Sequence, residues 1–450
     1  MTELLDLAGR IVERAPAGVE VEAYLTHSRT FEVRAYAGEV DSLSSAEPRG
    51  AGVRVVSDGR VGFAYTTDLA EEGLDAVVQA ARDNARHASV DPAAGLATAW
   101  DEPPKDISGL WDDAQESVGP DAKAQYVLEL ERAAEERDSR VRAVEDAVYS
   151  DASSEVAIAT STGIAGAYRR TDAWSYVAVI VEHDGDTQVG FEFDLGRGLA
   201  SLDPRAIAAS AADRGLRLLG ASKVPSERMP VVFEPFVAGQ FLGVLGSALT
   251  GEAVQKGRSL FAGRLDTEVA AEGLTLVDDG RLANAPAAAP WDDEGVPCAR
   301  TEIIADGTLR SFLYDTKSAR REGRASTGNA SRAGFKSVPR PAPSNLAFDG
   351  TGVEARAVME SVDRGLLVQD FHGVHSGANP VSGDFSVGVT GLLLENGEMS
   401  RPVKEVTIAA PMLDILRGIV AVASDLRWLP FGGSYGGATT LVSEMTVAGE

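Results

Sequence analysis

The stretch that most constrains this fold is Val231–Gly263, VVFEPFVAGQFLGVLGSALTGEAVQKGRSLFAG. It opens on a short apolar strand, Val231–Phe233. Pro235 then sits where a helix begins, a place that tolerates its missing N–H. From Phe236 to Leu249 there is no formal charge. The run is too short to cross a bilayer and reads as a buried core helix, with Gly251 as its stop. Gly239, Gly243 and Ser247 recur at i, i+4, i+8, so one helix face is nearly bare. A bare face predicts close approach by another backbone. The helix is central, yet its apolar run carries no catalytic group.

At 450 residues the chain is long enough for two or three cores. A linker over 221–230, with Pro225 and Pro230, divides an N-terminal domain (1–222) from a C-terminal one (223–450). The formal net charge of −26 argues against direct nucleic-acid or anionic-membrane binding, because phosphate recognition needs a basic surface. The charges are scattered, as on a solvated acidic surface. One cysteine, Cys298, allows no intrachain disulfide and fits a reducing cytoplasm. The N-terminus, MTELLDLAGRIVERA, lacks the charge pattern of a signal peptide, and no window reads as a membrane span.

The expected fold is α+β. Leu4, Leu7, Ala8, Ile11 and Val12 form a helical stripe. Strands are read at 20–27 and 30–36, then at 52–56 and 61–66 around a turn at Asp58-Gly59. Asp68 with Glu71 reads as a capping box for a helix to His87. A long loop, 91–118, and a helix from Pro120 to Glu136 follow. Strands at 141–149, 156–161, 167–170, 174–182 and 188–194 precede a helix begun by Asp203-Pro204. The N-terminal domain is thus a largely antiparallel sheet flanked by helices. In the C-terminal domain, Asp279-Gly280, Asp306-Gly307 and Asn396-Gly397 mark turns of a mostly antiparallel, barrel-like β structure around the buried helix. Residues 318–345 form a long irregular segment. Met412, Ile415, Leu416 and Ile419 mark a helix, Gly432–Gly437 a glycine-dense loop, and Thr440–Val447 a last strand.

The usual chemistry is thin. His27, His87 and His183 are isolated. His372 and His375 form an H-x-x-H in a loop-like stretch, with Asp384 as the nearest strong ligand, short of the three or four ligands of a tight metal site. Cys298 reads as a packed small side chain before it reads as a nucleophile. The cluster Asp292, Asp293, Glu294 reads as an acidic turn before a cation site. The glycine-dense loop has no P-loop lysine, and no HExxH, CxxC or Gly-x-Ser-x-Gly motif occurs.

Taken together, the motifs resemble the TldD/PmbA family, the so-called modulators of DNA gyrase. The resemblance is carried by GEAVQKGRSLFAGRL (251–265), DDEG (292–295), SARR (318–321), STGNA (326–330), NPVSGDFS (379–386), LENGE (394–398), Pro402-Val403-Lys404 and MTVAG (445–449). They span most of the C-terminal half and are specific in combination. The N-terminal half resembles the family in element order.

In that family the TldD-like branch is a zinc metallopeptidase, with an HExxxH helix and a later cysteine ligand in a glycine-rich loop. Two histidines hold the metal and the glutamate serves as general base on metal-bound water. By the resemblance, that helix is Phe236–Leu249, and the motif falls on 242–247 or 243–248. The residues there are Leu242, Gly243, Val244, Leu245, Gly246, Ser247 and Ala248, none of them His or Glu. The later loop offers Ser434 and Tyr435 but no cysteine. This resembles the TldE/PmbA branch. The resemblance implies a non-catalytic subunit with no cofactor of its own and no catalytic residue, paired with a TldD-like peptidase that carries the zinc. The pair would enclose a chamber for proteolysis of unfolded peptides, as in leader-peptide removal or antitoxin turnover. A homodimer is the other pairing left open. Thr327, Gly328, Asn329, Arg332, Asn379, Asp384 and Ser386 are candidates to line the chamber, and turn-shaping is the plainer role for each. The alternative is a stand-alone hydrolase built on His372, His375 and Asp384.

Overall fold

The computed structural model describes residues 2–350, 352–429 and 433–449. Its N-terminal half is one antiparallel sheet of β1 (Glu20–Tyr36), β2 (Glu39–Ala46), β3 (Arg49–Ser57), β4 (Arg60–Thr66), β5 (Val141–Thr160), β6 (Ala165–His183) and β7 (Asp186–Gly196). The order is β4-β3-β1-β5-β6-β7, with β2 continuing the lane of β3 beside β1. Helices α1 (Thr2–Glu13), α2 (Glu71–His87), α3 (Pro120–Glu135) and α4 (Pro204–Leu216) cover one face. Alternation along the strands decides what faces what. On β1, Val21, Ala23, Leu25, Val33 and Ala35 pack under the helices. Glu22 and Tyr24, between them, point to the opposite face, toward the C-terminal half.

The segments read separately at 20–27 and 30–36 are one strand, and the four read between 141 and 182 are two, of 20 and 19 residues. The polar stretches that interrupt the apolar runs, such as 150–155, stay in register because antiparallel pairing does not require apolar side chains on the wet face. Strand β2 is new. Its turn places Ala37 and Gly38 at positive φ, and alanine there gives no turn signal. Helix α2 begins without the expected capping box: Ala70 is the N-cap, and Asp68 Oδ1 instead accepts from the Ala70 N–H at 3.0 Å.

The C-terminal half contains β8 (Glu227–Phe233), α5 (Pro235–Gly246), α6 (Gly251–Gln255), β9 (Leu276–Asp279), β10 (Arg300–Ala305), β11 (Thr308–Leu309), α7 (Thr316–Arg321), β12 (Ala330–Ser331), β13 (Arg340–Pro341), β14 (Leu346–Phe348), α8 (Ala355–Glu360), β15 (Arg364–His372), α9 (Val374–Gly377), β16 (Ser386–Glu395), β17 (Glu398–Ala409), α10 (Met412–Gly418), β18 (Ile419–Val422), β19 (Arg427–Trp428), β20 (Tyr435–Gly437) and β21 (Thr440–Ala448). Strands β8, β15, β16, β17 and β21 form a closed barrel, because β21 pairs with both β8 and β17. Only the β8–β15 pairing in it is parallel. Val231 and Phe233 enter the main core, while Val232 between them packs outward with Val358 and Leu367. A second sheet, β11-β10-β9-β14-β20-β19, lies beside the barrel. The mostly antiparallel, barrel-containing α+β architecture expected above is what the chain forms.

Two local readings are corrected. Gly251 does not stop the central helix but opens α6, capped by the Thr250 side chain on the Ala253 N–H. Asp279-Gly280 is not a hairpin turn. The chain leaves β9 there, and β10 returns only at Arg300 after an irregular excursion. The long segment 91–118 is largely irregular and acts as a strap between the halves. Arg320 donates to the carbonyls of Ala94 and Leu96, and Trp100 Nε1 donates to the carbonyl of Gly295. Gly95, at φ 154°, makes room for that contact: a Cβ would meet the Arg320 guanidinium at 1.4 Å and push it off its carbonyls.

Candidate functional site

Helix α5 lies between the barrel and the second sheet. On its barrel side Phe241 packs against Phe233 and edge-on to Phe385, with Val237, Leu242 and Leu245 fully buried around it. The other side is the glycine face. A Cβ on Gly239 would reach the Leu429 side chain at 3.0 Å, and one on Gly246 the Tyr435 ring at 2.8 Å. A Cβ on Gly243 would lie 3.5 Å from the same ring. The approaching backbone is β20: a Cβ on Gly437 would sit 1.8 Å from the Pro235 carbonyl oxygen. The helix bends into a 3-10 turn over Ser247–Leu249.

The positions that a peptidase relative would use are therefore occupied by packing. Leu242, Leu245 and Ala248 are wholly buried, Val244 is half-buried, and Gly243 faces Tyr435. Ser247 is exposed, and its hydroxyl donates to the Val244 carbonyl at 3.1 Å. Either alignment frame would place one of its two histidines at a core position, Leu242 or Ala248. A zinc ion does not fit this donor set. In the glycine-dense loop, Ser434 is buried and donates to Asn345 Oδ1 at 2.6 Å, while Gly432 lies outside the described residues. Burial raises the Tyr435 pKa, so its hydroxyl stays protonated.

Behind Tyr435 lies a buried polar cluster. Asn329 Nδ2 donates to Asp278 Oδ2 at 2.6 Å and the Ser344 N–H to Oδ1 at 2.8 Å. Burial outweighs these bonds and pushes the Asp278 pKa up to about 6. Thr327 Oγ1 donates to Asn329 Oδ1 and accepts from the Tyr314 N–H. Gly328, at φ 74°, leaves no room for a Cβ beside the Pro297 carbonyl. Thr327–Asn329 thus form a turn whose polar groups are committed internally. Asn329 and Gly328 are buried, and Thr327 is half-buried.

Arg332 goes to a different place, the seam between the halves. Its side chain is buried and paired with Glu22 on β1. Glu22 also takes Arg54 at 2.5 Å, and Arg54 reaches Glu294 at 2.7 Å. Glu294 accepts the Thr316 N–H on α7, and Asp293 accepts from the Tyr24 hydroxyl. Burial pushes Glu22 toward the neutral form, but Arg332 and Arg54 outweigh it and hold its pKa below the usual carboxylate value. The acidic turn 292–294 is accordingly interior. Asp292 accepts three backbone N–H groups, from Glu294, Val296 and Ala330, while burial and then the Glu294 charge raise its pKa. Sequence reasoning missed Glu22 and Arg54. Their signal was a charge inside an otherwise apolar alternation, Val21-Glu22-Ala23 and Val53-Arg54-Val55.

Cys298 is buried, and burial followed by the charges of Asp292 and Asp278 raises its thiol well above the ordinary value. It is no thiolate nucleophile at neutral pH. His372, His375 and Asp384 are all exposed but not assembled. His372 Nδ1 lies 3.9 Å from Asp370, and Asp384 instead accepts from Ser382 at 2.6 Å. Among the described residues no group of three or more His, Cys, Asp or Glu is placed to hold a metal ion. The loop 379–386 is built on Asn379, whose side chain accepts from the Val381 and Ser382 N–H groups. The Leu260 N–H ties it to the segment after α6 through the Pro380 carbonyl. Asn379, Asp384 and Ser386 are exposed.

Comparison with known proteins agrees with this architecture. The model of the PmbA/TldA metallopeptidase C-terminal domain matches residues 226–449, that of domain 1 residues 21–85 and that of the central domain residues 113–219. The Escherichia coli O157:H7 metalloprotease PmbA is 30% identical over 100% of this chain and 96% of its own. The Haemophilus influenzae metalloprotease TldD homolog is 29% identical over 83% of this chain and 79% of its own. A Thermotoga maritima structure described as a modulator of a DNA gyrase superposes with a TM-score of 0.90 at 25% identity, covering all of both chains. TldE from Thermococcus kodakarensis shares the fold, with a TM-score of 0.88 at 22% identity over all of both chains. This chain belongs to the TldD/PmbA family.

Proposed function

We propose that this chain is a non-catalytic, TldE/PmbA-like subunit that pairs with a TldD-like zinc metallopeptidase, the two enclosing a chamber in which unfolded peptides are cut. The observation that carries this reading is the glycine face of α5. The helix on which a peptidase relative would hold its metal is closed here by Tyr435 and β20, and offers no imidazole, carboxylate or thiolate. The catalytic zinc belongs to the partner. A closed chamber admits extended chains, as in leader-peptide removal or antitoxin turnover, and such chains bind by adding a strand to a sheet edge. The exposed loop 379–386, with Asn379, Asp384 and Ser386, is the part of the candidate lining open to a chamber. Asn329, Gly328 and the Arg332 side chain are buried within this chain. We place the pair in the cytoplasm, in keeping with the lone thiol. Among the described residues no helix is long and apolar enough to cross a membrane.

The test is to incubate an unstructured peptide with this chain, with a TldD-like peptidase from the same cell, and with both. The chain alone leaves the peptide intact, and the pair co-elutes and cuts faster than the peptidase alone. Cleavage by this chain alone would overturn the proposal, as would a pair that neither co-elutes nor cuts faster.

A further inference from the structure

We propose that the cleft between β7, α4 and β15 is a binding site for a primary ammonium group carried on a small apolar body. The cleft holds about 290 Å³. It opens where the two halves meet, beside Glu234 at the start of α5. At 1.5 Å of rise per residue the motif positions at the far end of that helix are about 15 Å away. The proposal does not depend on the subunit reading above.

A bulge in β15 builds the site. Val368 pairs with Gly391 and Asp370 with Thr390, leaving Gln369 as the extra residue. A bulge re-aims side chains, and here Gln369, Asp370 and Thr390 all line the cleft. Gln369 is 2% exposed. Its Nε2 donates to Glu234 Oε1 at 3.2 Å, which fixes the amide orientation. Its Oε1 is buried and has no hydrogen-bond partner among the described residues. A buried acceptor left so costs free energy until a donor arrives. Beside it, Asp370 has one oxygen on the Phe371 N–H and the other 3.9 Å from His372 at the mouth.

The chemistry still open is acceptor chemistry. The cation lining the cleft, Arg214, is already committed: it donates to Glu234 at 2.6 Å and to the Gln369 carbonyl at 3.1 Å, with its guanidinium over the Phe191 ring. The other lining residue that could meet an anion, His372, is exposed at the mouth beside the Asp370 carboxylate, which would repel one. An ammonium brings three N–H groups; Asp370 and Thr390 offer acceptors on the cleft wall, and a small turn of the Gln369 amide brings its enclosed Oε1 to the third. Val189, Phe191 and Leu218 give the remaining wall an apolar stretch, beside Thr187 and Gln188, that suits an aliphatic body. The volume admits one residue-sized group. Two sources share this chemistry, the free amino end of a peptide and a free alkylamine.

Calorimetric titration of the full chain with Leu-Gly-Gly, its N-acetylated form and isoamylamine tests the site. Saturable binding of Leu-Gly-Gly is expected, weakened at least about tenfold by acetylation. Asp370→Asn and Thr390→Val are each expected to weaken it about tenfold or more. The thermal unfolding midpoint, measured alongside, identifies a variant that binds poorly because it is unfolded; the other variant then decides. Isoamylamine binding as tightly as the tripeptide identifies the amine source, and weaker binding the peptide end. The proposal is overturned if no amine probe binds saturably, if the acetylated peptide binds as well as the free one, or if both folded variants bind like the wild type.

Discussion

Two contacts hold the middle of this molecule together by opposite means. At the glycine face of α5, backbone meets backbone and no charge is present. At the seam, Glu22, Arg54, Glu294 and Arg332 are charged, buried and mutually paired. The first contact has no polarity to lose, and added volume is costly where β20 backbone meets helix backbone. The second tolerates neither partner's removal. The difference shows where this chain keeps its ionisable groups. They are absent from the helix where peptidase relatives would use them for catalysis, and concentrated where they join the N-terminal sheet to the C-terminal half.

The largest expected effect breaks the seam. Arg54→Met leaves Glu22 and Glu294 buried without their shared partner and is expected to cost about 3–5 kcal/mol in denaturant unfolding. A loss under about 1 kcal/mol would mean the seam is wetter than it looks.

The polar cluster behind Tyr435 gives the next effect, read as a pH dependence. Asp278 has its folded pKa raised from 3.8 to about 6. Between those values the unfolded chain is ionised and the folded one still holds the proton, so stability falls as pH rises through that window and is level above it. Asp278→Asn removes this titration. The stability of the variant relative to wild type therefore rises by about 2 kcal/mol from pH 4 to pH 7. An unchanged difference across that range would show that Asp278 titrates normally.

At the glycine face, Gly437→Ala drives a Cβ into the Pro235 carbonyl and is expected to cost about 1–3 kcal/mol or slightly more. Gly239→Ala first meets the Leu429 side chain, which can yield, and its cost is expected below about 1 kcal/mol. Reversal of that order in thermal melts would mean that β20 does not lie against the helix as described.

The same contrast explains what was legible in the sequence. The glycine face was readable because its spacing is local: residues four apart share one side of a helix. What closes it was not, because β20 lies some 190 residues downstream and its tyrosine gives no sign of facing Gly246. The turns at Asp58-Gly59, Asp306-Gly307 and Asn396-Gly397 were legible from residues that accept positive φ, and that at Ala37-Gly38 was not. The STGNA turn and Arg332 were visible as polar motifs, and polarity suggested a surface. Their burial follows from partners far off in the chain, Asp278 for Asn329 and Glu22 for Arg332.

The central claim is that α5 is scaffold in this chain. It is tested most directly by the zinc content of the purified full-length protein after dialysis against metal-free buffer. The account predicts zinc far below one ion per chain, unchanged by Tyr435→Ala or Ser247→Ala. One tightly held zinc per chain, lost on altering either residue, would contradict it.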